Sequence, residues 1–150
     1  MMTSILRLSK LKTVTTAVIL ALSSHGLHAE NLEDGIAAYQ EKQFSKALEI
    51  FQQYAKKGDP TAQFYLSVLY RSGMGVERDE DEAFNWCKKS AGEGVLDAQF
   101  QLGIMYLHGE GVEEDDVLAL EWLWQASDRG HLHAREVLQF VLQNDFTTGC

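Results

Sequence analysis

The chain is poor in cysteine, in positive charge and in long hydrophobic runs. It has two cysteines in 150 residues, too few for a disulfide scaffold, so packed side chains must stabilise the fold. The apolar stretch at residues 14–22 is too short to anchor the chain stably across a bilayer. Thirteen basic residues against 22 acidic ones give a net charge of −9. This charge repels phosphate backbones and anionic lipid, which argues against nucleic-acid binding and surface adsorption.

Residues 1–29 have the layout of a secretory signal peptide. Arg7, Lys10 and Lys12 precede the apolar stretch, and the small residue Ala29 stands at the expected cleavage position. We therefore expect a periplasmic or secreted protein of a Gram-negative bacterium, without a membrane span after cleavage; an uncleaved anchor is the alternative. Cleavage would leave 10 basic and 22 acidic residues, a net charge of −12. This negative net charge favours a basic partner.

A period of 36 residues runs through the rest of the chain. The recurring positions hold glycine, alanine, leucine and tryptophan: Gly58, Gly94 and Gly130; Ala62, Ala98 and Ala134; Leu66, Leu102 and Leu138; Trp86 and Trp122. A period of this size is typical of stacked-repeat proteins. Because one unit cannot bury its own apolar face, neighbouring units must stack, and the stack presents an extended surface.

Each unit is predicted to form two antiparallel helices. In the second unit a helix begins at Pro60, where the missing N–H has no intrahelical partner, and ends at Gly73. Asp79 is the predicted N-cap of the next helix, and Glu82 is expected to complete a capping box with it. In the third unit Asp115 replaces Asp79 without such a glutamate, so a weaker cap is expected.

The whole pattern predicts seven helices in an all-α, right-handed superhelical solenoid. The predicted segments are a first repeat at 30–57, two full repeats at 58–93 and 94–129, and a capping helix with a tail at 130–150. The last helix, at about 131–144, has no second helix after it.

These repeats resemble the Sel1-like repeat, a relative of the tetratricopeptide repeat. The resemblance rests on AQFYLSVLY at 62–70 and AQFQLGIMY at 98–106, each followed by G-x-G-V, Asp, Ala and Trp at matching offsets. The first unit, with Tyr39, Phe44 and Ala47, is more similar to a tetratricopeptide repeat. The resemblance implies a module for protein–protein contact, and exported bacterial relatives act as scaffolds or adaptors.

Certain cysteine-rich relatives have one disulfide per repeat and are linked to penicillin binding or β-lactam hydrolysis. Here Cys87 lies in one repeat and Leu123 stands at the matching place in the next. The chain departs from those relatives at this position, and an envelope hydrolase acting on β-lactams or peptidoglycan is the alternative that the resemblance to them implies. A small regulator of a periplasmic enzyme is another.

The candidate binding residues lie on the first helix of each unit, opposite the core stripe. They are Tyr65, Val68, Asp97, Gln101, Ile104, His108, His133, Val137 and Phe140. If the first helices line the inner curve, these positions form a groove for a partner helix or an extended peptide. The alternative is that Val68 and Ile104 pack between adjacent repeats.

No spacing in the chain favours catalysis or a metal site. Acidic residues at 77–82 and 113–116 are expected at helix N-termini rather than around Ca²⁺. His131 and His133 are two apart and should point to different faces of a helix, in solvated or capping roles. Cys87 is expected to be a small buried residue. We expect no cofactor, no metal and no enzyme activity.

The C-terminal segment offers a second candidate surface. Its apolar residues are Leu132, Val137, Leu138, Phe140, Val141, Leu142 and Phe146. With no following helix, part of this surface should be exposed. Together with Cys150 it could support a homodimer; a frayed tail with an idle cysteine is the alternative.

Overall fold

The computed structural model describes residues 30–145, without the side chains of residues 144 and 145. Its helices are α1 Leu32–Gln40, α2 Phe44–Lys56, α3 Pro60–Ser72, α4 Glu80–Gly92, α5 Leu96–His108, α6 Asp116–Asp128 and α7 Leu132–Asp145. No strand occurs between residues 30 and 145. Each helix packs mainly against the next one along the chain. The predicted seven helices and all-α solenoid are confirmed, whereas the signal peptide, Phe146 and Cys150 lie outside the described residues.

Aspartates at the N-caps explain where several helices begin. Asp79 accepts a hydrogen bond from the backbone N–H of Glu82 at 3.0 Å, and Asp115 accepts one from that of Leu118 at 2.9 Å. Each satisfies one of the N–H groups that a first helical turn leaves without a partner. The predicted N-cap role of Asp79 is thereby confirmed.

The predicted capping box at Asp79 is wrong. The backbone N–H of Asp79 donates to the carbonyl of Tyr70 at 3.0 Å, and that of Asp115 donates to the carbonyl of Tyr106 at 3.0 Å. A capping box needs this N–H for the glutamate side chain, but here the preceding helix takes it. The two caps are therefore equivalent, and the expected weakness of the Asp115 cap is also wrong.

The core lies between the two helices of each unit and between successive units. The repeated alanines and leucines are buried: Ala62, Leu66, Ala98, Leu102, Ala134 and Leu138. The recurring tryptophans Trp86 and Trp122 are half-buried and pack against the edge of the core. The buried stripe of the first helices follows the predicted helical spacing.

Successive units meet at a glycine in the loop between the two helices of each unit. Gly111 has a φ of +68°, and a Cβ added there would overlap the carbonyl oxygen of Glu80, in the first turn of α4. Gly75 has a φ of +73°, and its added Cβ would lie 2.6 Å from the carbonyl carbon of Phe44, at the start of α2. Glycine is thus required at both positions by conformation and by space. The two contacts are equivalent and set how closely each unit approaches the preceding one.

Two glutamines occupy equivalent buried positions but have unequal partners. Gln63 donates from Nε2 to the carbonyl of Ala55 at 3.4 Å, and Gln99 donates to that of Ala91 at 3.3 Å. The Oε1 of Gln99 accepts a hydrogen bond from Arg129 at 3.1 Å. The buried Oε1 of Gln63 has no partner among the described residues. Glu93 stands 36 residues before Arg129, and a carboxylate cannot donate to this oxygen.

We expect Gly111→Ala to lower the free energy of unfolding by about 2–5 kcal/mol. A left-handed backbone costs an alanine about 1–2 kcal/mol, and overlap with the Glu80 backbone adds about 1–3 kcal/mol. Urea unfolding followed by circular dichroism measures the change. Gly130→Ala is the matched control, because φ is +94° there but the added Cβ meets nothing within 4 Å. Equal losses in the two variants would contradict the proposed contact.

Candidate functional site

A cleft of about 440 Å³ lies along the first helices of the three successive units from α3 to α7. Its apolar lining is Phe64 of α3 together with Phe100 and Ile104 of α5. The polar residues of its lining are Arg71, Asp97, Gln101, His131 and His133. A volume of this order is typical of sites that accept a small ligand or a few side chains.

His131 lies just before α7 and caps it. Its Nδ1 accepts a hydrogen bond from the backbone N–H of Ala134 at 3.1 Å, so the ring in this arrangement has its proton on Nε2. The ring stacks on Phe100, with centroids 4.5 Å apart and 22° between the planes. Nε2 lies 3.3 Å from Oδ1 of Asp97. The predicted capping role is confirmed for this histidine.

The prediction that His131 and His133 face different sides is wrong. Both line the cleft, with ring centroids 6.0 Å apart. The argument from helical spacing fails because His131 is the cap and lies outside the helix. His133 lies in the first turn of α7, where its Nδ1 is 3.1 Å from Oε2 of Glu136.

Arg71 and Glu110 form a bidentate ion pair at the cleft. Arg71 Nε donates to Oε2 of Glu110 at 2.5 Å, and Nη2 donates to Oε1 at 2.9 Å. Hydrogen bonding from Arg71 lowers the pKa of Glu110, and the same pairing raises the pKa of Arg71. The pair joins α3 to the loop after α5 and compensates the charge of the guanidinium.

Gln101 connects the first helices of two units beneath the cleft. It is buried, and its Nε2 donates to Oγ of Ser67 at 2.9 Å. That hydroxyl donates in turn to the carbonyl of Phe64 at 2.9 Å. The chain of hydrogen bonds fixes the position of α5 relative to α3 and satisfies the buried polar groups.

The structure brings four of the nine predicted binding residues to this cleft: Asp97, Gln101, Ile104 and His133. Ile104 also packs against the core cluster around Leu123 and Leu138. The side chain of Ile104 therefore lines the cleft and also packs between repeats.

The other five predicted residues lie outside the cleft lining. Tyr65 stacks on Phe51 with ring centroids 4.7 Å apart, and its burial raises the pKa of its hydroxyl. Val68 is half-buried and His108 is exposed at the end of α5. Val137 packs against the Leu123 cluster, whereas Phe140 is 68% exposed on α7.

Four cleft residues were not predicted: Phe64, Arg71, Phe100 and His131. Phe64 and Phe100 are 36 residues apart and lie on the flank of the core stripe. The phenylalanine repeated beside the stripe was the available signal, although both side chains also pack against core clusters. The sequence offers no comparable signal for Arg71, because its partner Glu110 is distant along the chain.

A second cleft of about 430 Å³ lies between α6 and α7, and Trp124, Leu138, Gln139 and Leu142 contribute to its lining. Gln139 stands 36 residues after Gly103. A Cβ on Gly103 of α5 would lie 2.8 Å from Cγ of Leu123 in α6. The second helix of a unit can therefore approach the first this closely only where that position holds a small residue. The equivalent position of α7 thus holds a larger, exposed side chain.

The predicted C-terminal surface is only partly exposed. Leu132, Phe140 and Leu142 are exposed, as expected. Leu138 is buried in the core, and Val137 and Val141 are half-buried. Part of this surface is thus exposed, as predicted, and Phe146 lies outside the described residues.

Other candidate groups have structural surroundings. Cys87 is fully buried, its Sγ lies 3.4 Å from the carbonyl of Ala98, and burial raises the pKa of its thiol to about 12. It is the small buried residue that was predicted. Within residues 30–145, no three His, Cys, Asp or Glu side chains are grouped so that they could hold a metal ion. No helix in that range is long and apolar enough to cross a bilayer.

We expect Arg71→Met to destabilise the protein by about 1 kcal/mol at about pH 7. Charged hydrogen bonds contribute about 1.5–3 kcal/mol, and partial exposure of this pair reduces that value. Because the folded-state pKa of Glu110 lies below its ordinary value of 4.5, the stabilisation is present above that value and is lost as the pH falls through the folded-state pKa.

Urea unfolding of wild type, Arg71→Met and Glu110→Gln at about pH 7 and about pH 3 tests this linkage. The difference between wild type and each variant should shrink in acid. A difference that stays constant between the two pH values would contradict the ion pair as its source.

The family described as Sel1 repeat matches three consecutive segments, residues 24–59, 60–95 and 96–131. A solved Sel1 repeat protein from Oxalobacter formigenes is 31% identical with a TM-score of 0.70, and the match covers 74% of this chain and 46% of that one. A protective antigen present in uropathogenic Escherichia coli strains, displaying an SLR fold, is 33% identical with a TM-score of 0.70, covering 76% and 25%.

The Helicobacter pylori cysteine rich protein B shares the fold at 17% identity, with a TM-score of 0.58 and coverage of 73% and 98%. The matches span less than half the length of the Oxalobacter and Escherichia proteins. None of the curated protein sequences matches significantly. The three matched segments and the solved relatives confirm the resemblance: the chain belongs to the Sel1 repeat family.

Proposed function

We propose that this protein is an exported adaptor that binds a segment of a partner protein in the cleft between Phe64 and His133. Sel1 repeat proteins are commonly scaffolds for protein–protein interaction. The observation that carries the proposal is the cleft itself, which has an apolar floor, a polar rim and walls from three successive units. An apolar floor with a polar rim is typical of sites for peptide anchors.

An envelope hydrolase is the competing proposal. It needs a nucleophile and a base in one cleft. Among the described residues, the hydroxyl of Ser67 is engaged by Gln101 and by the Phe64 carbonyl, and the thiol of Cys87 is buried. Turnover of a chromogenic β-lactam by the purified protein would favour the hydrolase over the adaptor.

Export and dimerisation form a further part of the proposal. The leader pattern at residues 1–29 supports cleavage after Ala29, and the exposed Leu132, Phe140 and Leu142 support self-association.

We expect the protein purified from the periplasm to begin at Glu30. Under non-reducing conditions, intact mass spectrometry should show a dimer linked through Cys150. A mass that includes residues 1–29 contradicts cleavage, and a monomer mass contradicts the disulfide.

We expect Ile104→Asp to abolish partner binding, because a charge on the floor of the cleft opposes burial of an apolar anchor. Val137→Asp is the matched control: Val137 is half-buried in the same core cluster but does not line the cleft. Tagged wild type and both variants are used to capture proteins from periplasmic extract, with quantitative mass spectrometry as the readout.

Thermal unfolding accompanies each capture and separates binding from folding. The adaptor proposal requires a protein that is captured by wild type and Val137→Asp but not by Ile104→Asp. Equal capture by Ile104→Asp would remove the cleft as the binding site.

A further inference from the structure

We propose that the cleft selects partner segments in which an aromatic or branched aliphatic side chain stands close to a lysine or arginine. This inference rests on the proposed adaptor function and specifies the chemistry of the partner. It follows from the apolar floor of the cleft, from the ion pair between Arg71 and Glu110 and from the acidic groups at the rim.

The floor of the cleft fits an apolar anchor. Phe64, Phe100 and Ile104 are half-buried, so part of each side chain faces the opening. One face of Phe100 stacks on the ring of His131, which also lines the cleft, so the two rings hold each other in place. The volume of about 440 Å³ accommodates one large side chain with its flanking backbone, not a whole helix face.

The arginine at the cleft does not provide an uncompensated positive charge. Both carboxylate oxygens of Glu110 accept hydrogen bonds from Arg71. Glu110 thereby balances the charge of Arg71 in the bidentate geometry that is the strong form of the arginine–carboxylate pair, so a second carboxylate would gain little from this guanidinium. The cleft is therefore poorly suited to an acidic segment or a free carboxylate.

Acidic groups at the rim favour a basic residue. The side chain of Asp97 is 68% exposed, and its Oδ1 lies 3.3 Å from Nε2 of His131. Glu136, beside His133, is also exposed. These exposed carboxylates place negative charge at this end of the cleft, and residues 30–150 carry a net charge of −12. Such a field steers cationic segments toward the cleft.

A library of random 12-residue peptides displayed on phage, selected on the purified protein, tests the inference. The selected peptides should place Phe, Tyr, Trp, Leu or Ile within three residues of Lys or Arg. The best one is synthesised with a fluorophore, and its Kd is measured by anisotropy for wild type, Asp97→Asn, Ile104→Asp and Val137→Asp.

Asp97→Asn should raise the Kd about 2- to 5-fold and flatten its dependence on salt concentration, as the loss of one charge pair at an exposed site predicts. Ile104→Asp should abolish binding, and Val137→Asp should leave it unchanged. A peptide with its basic residue replaced by Glu should bind wild type more weakly than the selected peptide does. It should bind Asp97→Lys more tightly than it binds wild type.

The failures of the two proposals are distinguishable. Selected peptides whose binding is lost in Ile104→Asp but which lack basic residues, or whose Kd is unchanged in Asp97→Asn, contradict the inference. They leave the proposed adaptor function intact. Selected peptides that bind Ile104→Asp as well as wild type, or a selection that yields no binder, overturn peptide binding at this cleft and the inference with it.

Discussion

The loop between the two helices of the third unit contacts both helices of the second unit at once. Gly111 lies against the first turn of α4, where a side chain on the glycine would overlap the backbone. The adjacent Glu110 reaches α3 and holds Arg71 through two hydrogen bonds. One short loop therefore fixes both the separation and the register of the two units. The cleft depends on this constraint, because its walls come from helices that belong to different units.

The joint between the first and second units uses the same glycine contact with different side-chain chemistry. Gly75 lies against the start of α2, but the position equivalent to Glu110 is Met74, which packs against the apolar cluster of the first unit. Repeat stacking thus requires the glycine, while the neighbouring residue is free to vary. That freedom lets one unit contribute an ion pair to the cleft without altering the stack, as expected for a nearest-neighbour architecture.

The fold could be predicted from the sequence because its causes are local and repeated. The alanine and leucine stripe fixes the buried face of each first helix, and Pro60, Asp79 and Gly73 mark helix ends. The capping box failed because the carbonyl of Tyr70, in the preceding helix, competes for the N–H of Asp79. A sequence pattern within one helix contains no information about an acceptor that another helix supplies.

The site was predictable only in part, for a geometric reason. Asp97, Ile104 and His133 were found because they lie opposite the core stripe of their helices. Phe64 and Phe100 were missed because a cleft between neighbouring helices also exposes their flanks, and helical spacing alone does not give the angle between helices. The cap residue His131 belongs to no helical face at all, although its ring covers Phe100.

The unequal surroundings of Gln63 and Gln99 make the joints of the solenoid unequal. At the later joint, Arg129 closes the polar network through Gln99 and the carbonyl of Gly94. At the earlier joint the oxygen of Gln63 has no partner among residues 30–145, and a buried polar atom in that state costs about 1–3 kcal/mol. We therefore expect the seam between the first and second units to open more readily than the equivalent seam between the second and third units. The first helical pair can exchange its amide protons or separate while the units that build the cleft stay folded together.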